Sequence, residues 1–164
     1  AMIRDTGHDV HLAIAGDGPS INELKEQSKK LGVEEYVNFT GWIDSENVLQ
    51  FLHTGDIGVM PHNVNPHTNT TIPNKLFDYM MMGLPVVSSN ARPVTRIIEE
   101  TNCGRVFSSD ATPEEISKLL IETMNCEDLD RLGRNGHDAI VQKYNWSREA
   151  RIVHDSLQQL SEAS

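Results

Sequence analysis

The sequence predicts an α/β fold: a Rossmann-like three-layer arrangement in which a parallel sheet carries helices on both faces. Five short apolar runs, at residues 10–15, 36–41, 56–60, 85–88 and 104–107, are each too brief for a helix and are bounded by turn residues. The segments between them place apolar residues at helical spacing, so strand and helix alternate, which is the signature of parallel crossovers. The chain has 164 residues of which 38% are hydrophobic, enough for one domain over residues 1–164 with a core of its own.

In order, residues 1–9 read as the tail of a helix and a turn at Gly7. A buried strand over 10–15 follows, ended by Gly16-Asp-Gly-Pro19, where glycines let backbone approach a ligand. Ser20 with Glu23 three residues later is an expected capping box, and Ile21, Leu24, Ser28 and Leu31 trace the inner face of that helix. The strand at 36–41 leads to a helix from Ser45 that carries Val48, Leu49 and Leu52 inward. After the strand at 56–60 comes a polar loop, 61–71, and then the most informative stretch of the chain. Pro73 suits a first helical position, Leu76, Phe77, Met80 and Met81 share one face, and Asn74, Lys75, Asp78 and Met82 the other. Gly83 offers a left-handed cap, and Pro85 prevents the helix from continuing before a buried strand at 85–88. Val94, Ile97 and Ile98 mark a short helix ahead of the strand at 104–107. The remainder is helical: one segment opened by Thr112-Pro-Glu-Glu, a second over about 127–143, and a third from Ser147 to near Leu160.

Composition removes several classes of function. A formal net charge of −10 without clustered Lys and Arg argues against a nucleic-acid partner. No run approaches the ~18 apolar residues of a membrane span, and no leader is visible. Cys103 and Cys126 have no metal or redox spacing and fit a reduced, cytoplasmic setting, in which the Asn-x-Ser/Thr matches at Asn38, Asn69 and Asn145 carry no meaning. No metal site is expected from the scattered histidines.

Ligands of open parallel sheets sit beyond the carboxyl ends of the strands. That rule gathers Asp17, Asp44, His62, Asn63, Asn65, His67, Asn69, Thr70, Thr71, Lys75 and Asp78 at one rim. The helix after Pro73 points its N-terminus at the same rim, where an anion is the natural guest.

The segments LAIAGDGP (12–19), VNFTG (37–41), DIGVMP (56–61), KLFDYMMMGLPVV (75–87), GRVF (104–107) and YNW (144–146), in this order and spacing, resemble the C-terminal, donor-binding half of a group 1 retaining glycosyltransferase of the GT-B fold. The resemblance implies transfer of a hexose-type unit from a nucleoside diphosphate sugar, UDP or GDP type, to a glycan, lipid or small-molecule acceptor, as in polysaccharide biosynthesis, without a metal or other cofactor. Two family glutamates eight positions apart fall here on Thr70, beside the sugar, and Asp78, a shorter carboxylate able to accept both ribose O–H groups. It implies further that the diphosphate rests on backbone N–H groups of Thr71, Ile72 and Asn74 and that Trp42, Ile43 and Asp44 meet the base. The residues themselves put Lys75 with the diphosphate charge, the polar loop from His62 to Thr71 with the sugar hydroxyls, and Gly16, Gly18 and Gly41 beside the nucleotide. The family's N-terminal acceptor domain, and the first strand and helix of its donor domain, have no counterpart in this sequence. The expectations that follow are an inactive isolated chain, a sheet lacking a central strand beside 10–15, self-association through the unpaired edges, and a parent at the cytoplasmic membrane surface. A nucleotide-binding or regulatory α/β module without transfer chemistry is the alternative.

Overall fold

The computed structural model describes residues 1–162, with side chains through Gln159. Its elements run α1 (Met2–Asp5), β1 (Leu12–Ala15), α2 (Ile21–Lys30), β2 (Val37–Gly41), α3 (Ser45–Leu52), β3 (Gly58–Met60), α4 (Asn74–Met81), β4 (Val86–Ser89), α5 (Arg92–Thr101), β5 (Gly104–Phe107), α6 (Pro113–Met124), α7 (Leu129–Gln142) and α8 (Trp146–Glu162). Every strand pairing is parallel, as the alternation predicts, but the strands form two sheets: β1 with β2, and β3–β4–β5 in that order. Among the described residues β1 pairs with β2 alone, and no strand joins β1 to β3.

That division corrects the expectation of a buried first strand. β1 is mostly exposed, with Leu12 48% accessible, because it has a strand partner on one side only. Leu24 and Leu31 of the predicted inner face of α2, and Leu49 of α3, are likewise exposed, and only Ser28 on that face is buried. The capping box at Ser20 does not form either. Ser20 has helical dihedrals itself, φ −86° and ψ −3°, so its hydroxyl is not aimed at the helix amides.

The core lies under the three-stranded sheet. Met60, Leu76, Met80, Val86, Val94, Ile97, Ile98 and Cys103 are all buried, and Phe77, Tyr79 and Tyr144 pack against them. α5 presents its predicted face of Val94, Ile97 and Ile98. α6 opens with the predicted cap: the Glu115 N–H donates to Thr112 Oγ1 at 3.3 Å and the Thr112 N–H to Glu115 Oε2 at 2.7 Å.

α4 is anchored at both ends. Leu76 and Met80 are fully buried while Met81, predicted to share their face, is 39% exposed; a 3.6-residue repeat carries the fifth residue beyond the contact stripe. Pro73 sits one position earlier than predicted, at the N-cap, with extended backbone (ψ 136°), since its ring cannot donate to the first turn. At the other end Gly83 takes φ +69°, its N–H bonds to Met80 O at 3.0 Å and the Leu84 N–H to Tyr79 O at 2.9 Å. These two bonds form a Schellman cap. α7 crosses directly over that cap: a Cβ placed on Gly133 would land on the Gly83 carbonyl, so the two helices meet backbone to backbone. The C-terminal end is clipped to α5 by Glu100, which pairs with Lys143 and accepts from Tyr144 Oη at 3.2 Å.

Candidate functional site

The site begins with the start of α4. Its first amides have no acceptor within their own helix, no side chain caps them, and only Leu76 N–H bonds back, to Pro73 O at 3.1 Å. The N-terminal turn therefore presents free N–H donors and the positive end of the helix dipole. Lys75 projects from this turn into solvent, and Asp78, one turn on, is half-buried. The two lie on one side of the helix as predicted, yet neither side chain makes an ion pair or hydrogen bond with any described residue. Burial, without a cationic partner, holds the Asp78 carboxyl above its ordinary value.

The chain between β3 and α4 is a loop that supports itself. Asn65 Oδ1 accepts the N–H groups of His67 (2.9 Å) and Thr68 (3.1 Å), and the Thr68 hydroxyl meets Asn63 O and Asn65 N–H. Thr70 Oγ1 donates to His67 O at 2.9 Å and Pro66 O at 3.2 Å, so its hydroxyl hydrogen is engaged within the loop; Thr71 Oγ1 donates to His67 O at 3.1 Å. Val64 and Ile72 pack inward on the core, which leaves Ile72 only its backbone to offer a ligand. His62, Asn63, Asn65, His67, Thr68, Thr71 and Pro73 line an open depression of about 400 Å³. Burial and then the charge of Lys75 push the His62 imidazole below its ordinary value, so it is neutral at pH 7 and able to hydrogen-bond without adding charge.

The remaining predicted residues stand on the other sheet. The Gly16 N–H donates to Gly41 O at 2.7 Å, which ties the ends of β1 and β2 together, and Asp17 Oδ1 accepts the Gly18 N–H at 2.8 Å. Trp42 is 78% exposed, Ile43 is half-buried, and Asp44 is the N-cap residue of α3 with its carboxylate unbonded to the helix. The structure thus collects the diphosphate-side and sugar-side candidates (His62, Thr70, Thr71, Ile72, Asn74, Lys75, Asp78) around one loop and helix, and the base-side candidates (Gly16, Gly18, Gly41, Trp42, Ile43, Asp44) in the two loops that leave the joined ends of β1 and β2. An exposed indole offers a face on which a heterocycle can stack, and a free helix N-terminus with a lysine suits an anion.

The family model for glycosyl transferases group 1 matches residues 1–125. The chain belongs to the group 1 glycosyltransferases. It is similar to the alpha-D-kanosaminyltransferase of Streptomyces kanamyceticus, 26% identical over 150 residues that cover 90% of this chain and 37% of that protein. Sucrose-phosphate synthase of Thermosynechococcus elongatus superposes with a TM-score of 0.80 at 18% identity, over 99% of this chain and 41% of that one. The Anabaena protein HepE, solved in complex with UDP, superposes with a TM-score of 0.77 at 17% identity, over 92% and 41%. The fold is that of part of a GT-B glycosyltransferase, and the chain spans about a third of the length of the curated relatives it matches.

One contact of this glycosyltransferase domain escaped the sequence. Asn69, which counts there only as one polar rim residue among many, accepts the Arg92 N–H on Oδ1 at 3.0 Å and so joins the loop to α5. The partners are far apart in sequence and follow no period; the nearest signal was Ala91, an N-cap residue unable to cap its own helix. Among the described residues no helix is long and apolar enough to cross a membrane, and no group of three His, Cys, Asp or Glu could hold a metal ion.

Proposed function

We propose that this chain binds the nucleotide-sugar donor of a retaining glycosyltransferase, and that the acceptor is bound by residues beyond these 164. The observation that carries the reading is the start of α4: uncapped amides, an unpaired Lys75 and an unpaired, half-buried Asp78 on one helix side, opening onto a polar loop. In this reading the backbone amides of Thr71, Ile72 and Asn74 and the Lys75 side chain hold the diphosphate, Asp78 accepts the ribose hydroxyls, His62 and the side chains of Thr70 and Thr71 meet the sugar, and Trp42 to Asp44 border the base. Transfer breaks the bond between the sugar C1 and the β-phosphate oxygen and forms one from C1 to the acceptor oxygen on the same face, and the acceptor's hydroxyl proton passes to the departing diphosphate. Negative charge then grows on the diphosphate, where the amides and Lys75 already point. No metal is assigned to that charge. In this reading the donor is of UDP or GDP type, and the reaction belongs to the cytoplasmic side, at a membrane surface where the acceptor is a lipid or growing glycan.

Titrating UDP, GDP and ADP separately into the chain by calorimetry tests the reading. Selective binding of one is expected, and sugar transfer by the 164-residue chain alone is not. No binding of any of the three, by this chain or by the full-length polypeptide, overturns it. Lys75→Ala should weaken the selected diphosphate by about 1.5–3 kcal/mol, the scale of a charge-assisted hydrogen bond, and leave its nucleoside within roughly 0.5 kcal/mol. His62→Ala should leave the diphosphate unchanged and act only on the sugar nucleotide. Equal losses for nucleoside and diphosphate in Lys75→Ala would move the phosphates elsewhere.

A further inference from the structure

The loop between β3 and α4 carries many hydrogen bonds, and among the described residues all but one close on the loop itself. Those of Asn63, Asn65, Pro66, His67, Thr68, Thr70 and Thr71 have both partners within 61–72. The exception is Asn69 Oδ1, which accepts the Arg92 N–H at 3.0 Å across 23 residues of sequence. Val64 and Ile72 also hold the loop, but apolar contacts are non-directional and leave it free to pivot. The hydrogen bond supplies the direction. It also serves α5, whose N-cap residue, Ala91, has no side-chain acceptor of its own. A loop that is rigid inside and joined outside at one polar point moves as a body about that point.

We infer that Asn69 is a positioning residue: by capping α5 it sets the orientation of the 61–72 loop and so holds His62 and Thr71 against the sugar, while α4 remains fixed by the core. The inference rests on the donor-site reading above. It separates two parts of one ligand. The diphosphate answers to the start of α4 and the amides leading into it, whose place is set by buried Leu76 and Met80 and by Ile72 packed on the core, and the sugar answers to the side chains of the outer loop, whose orientation is set by Asn69.

The test compares Asn69→Ala with Asn69→Asp, which keeps an oxygen acceptor at the same reach. In Asn69→Ala the Arg92 amide, followed by hydrogen exchange in this chain, should exchange roughly tenfold faster, the scale of one lost hydrogen bond. Affinities for UDP and UDP-glucose, and for GDP and GDP-mannose as a second pair, should split: the sugar nucleotide of the bound pair weakens roughly tenfold while its diphosphate changes less than about threefold. Asn69→Asp should restore both readouts. A general loss of structure would lower both affinities together and would not be rescued. Unchanged Arg92 exchange in Asn69→Ala removes the clamp. Faster exchange with an unchanged ratio of the two affinities removes its role toward the sugar. Should the unsubstituted protein bind none of the four nucleotides, the donor-site reading fails, and Arg92 exchange still decides the clamp.

Discussion

Gly133→Val is expected to destabilise the fold by about 3 kcal/mol, the upper end of overpacking penalties, and to lower the melting temperature by roughly 10 °C for a chain of this size. The first added carbon would stand on the Gly83 carbonyl. That carbonyl cannot yield easily, because Gly83 is held at φ +69° by a cap in which Gly83 and Leu84 bond back to Met80 and Tyr79. Even Gly133→Ala should destabilise, although alanine in a helix interior is favoured over glycine by about 1 kcal/mol. Gly136, three residues on, provides the control. A Cβ there would meet Cys103 Cβ at 3.2 Å and Met80 Cα and Cγ at 3.4 Å, contacts that neighbours giving way by a few tenths of an ångström relieve, far short of the overlap at Gly133. Gly136→Ala is therefore expected to lie within about 1 kcal/mol of the original. Thermal melts giving the two alanine variants the same stability would refute the backbone-to-backbone contact.

Asp78→Asn is expected to weaken the bound nucleoside diphosphate by about 1.5–3 kcal/mol, ten- to a hundredfold or more, and to leave the fold as stable as before or slightly more so. The two halves of that expectation have one cause. Burial without a cationic partner raises the Asp78 pKa in the folded chain above its unfolded value. A carboxyl shifted in that direction lowers fold stability when ionised; the loss sets in as pH rises through the unfolded value and is fully present above the raised folded one. Asparagine has no such charge to bury. For binding the sign reverses, because ribose O–H groups need an acceptor and the ionised carboxylate accepts best. Affinity should fall as pH drops through the raised Asp78 value, and this acid limb should vanish in Asp78→Asn. Calorimetric titrations across pH with denaturant melts on the same samples check both parts; a variant that binds as tightly as the original returns Asp78 to a packing role.

These two expectations drew unequally on the sequence. Asp78 was legible because Pro73 and Gly83 bracket α4 and the helical period then fixes which residues share a side. The buried face of α5 and the cap of α6 were legible for the same local reason. Gly133 was not, since a glycine within a helix has no local signature of what crosses it. Asn69 was hidden by the distance to Arg92. The error over Leu12, Leu24, Leu31 and Leu49 has another source: apolar periodicity marks a side chain suited to burial, and burial itself needs a neighbouring layer, which β1 and β2 lack on one side.

That one-sidedness bears on how the molecule breathes. Of residues 1–57 only Ser28 is buried, whereas β3, β4, α4 and α5 enclose the core, so the two sheets form units of unequal cohesion. Local opening free energies follow buried apolar contact, and amides of β1 and β2 should exchange through frequent partial unfolding while those of β4 exchange only in rare global events. A nucleotide lodged with its base on Trp42 and its phosphates on α4 would then act as a strut between a labile unit and a stable one. Mass action would turn its affinity into protection of the labile one.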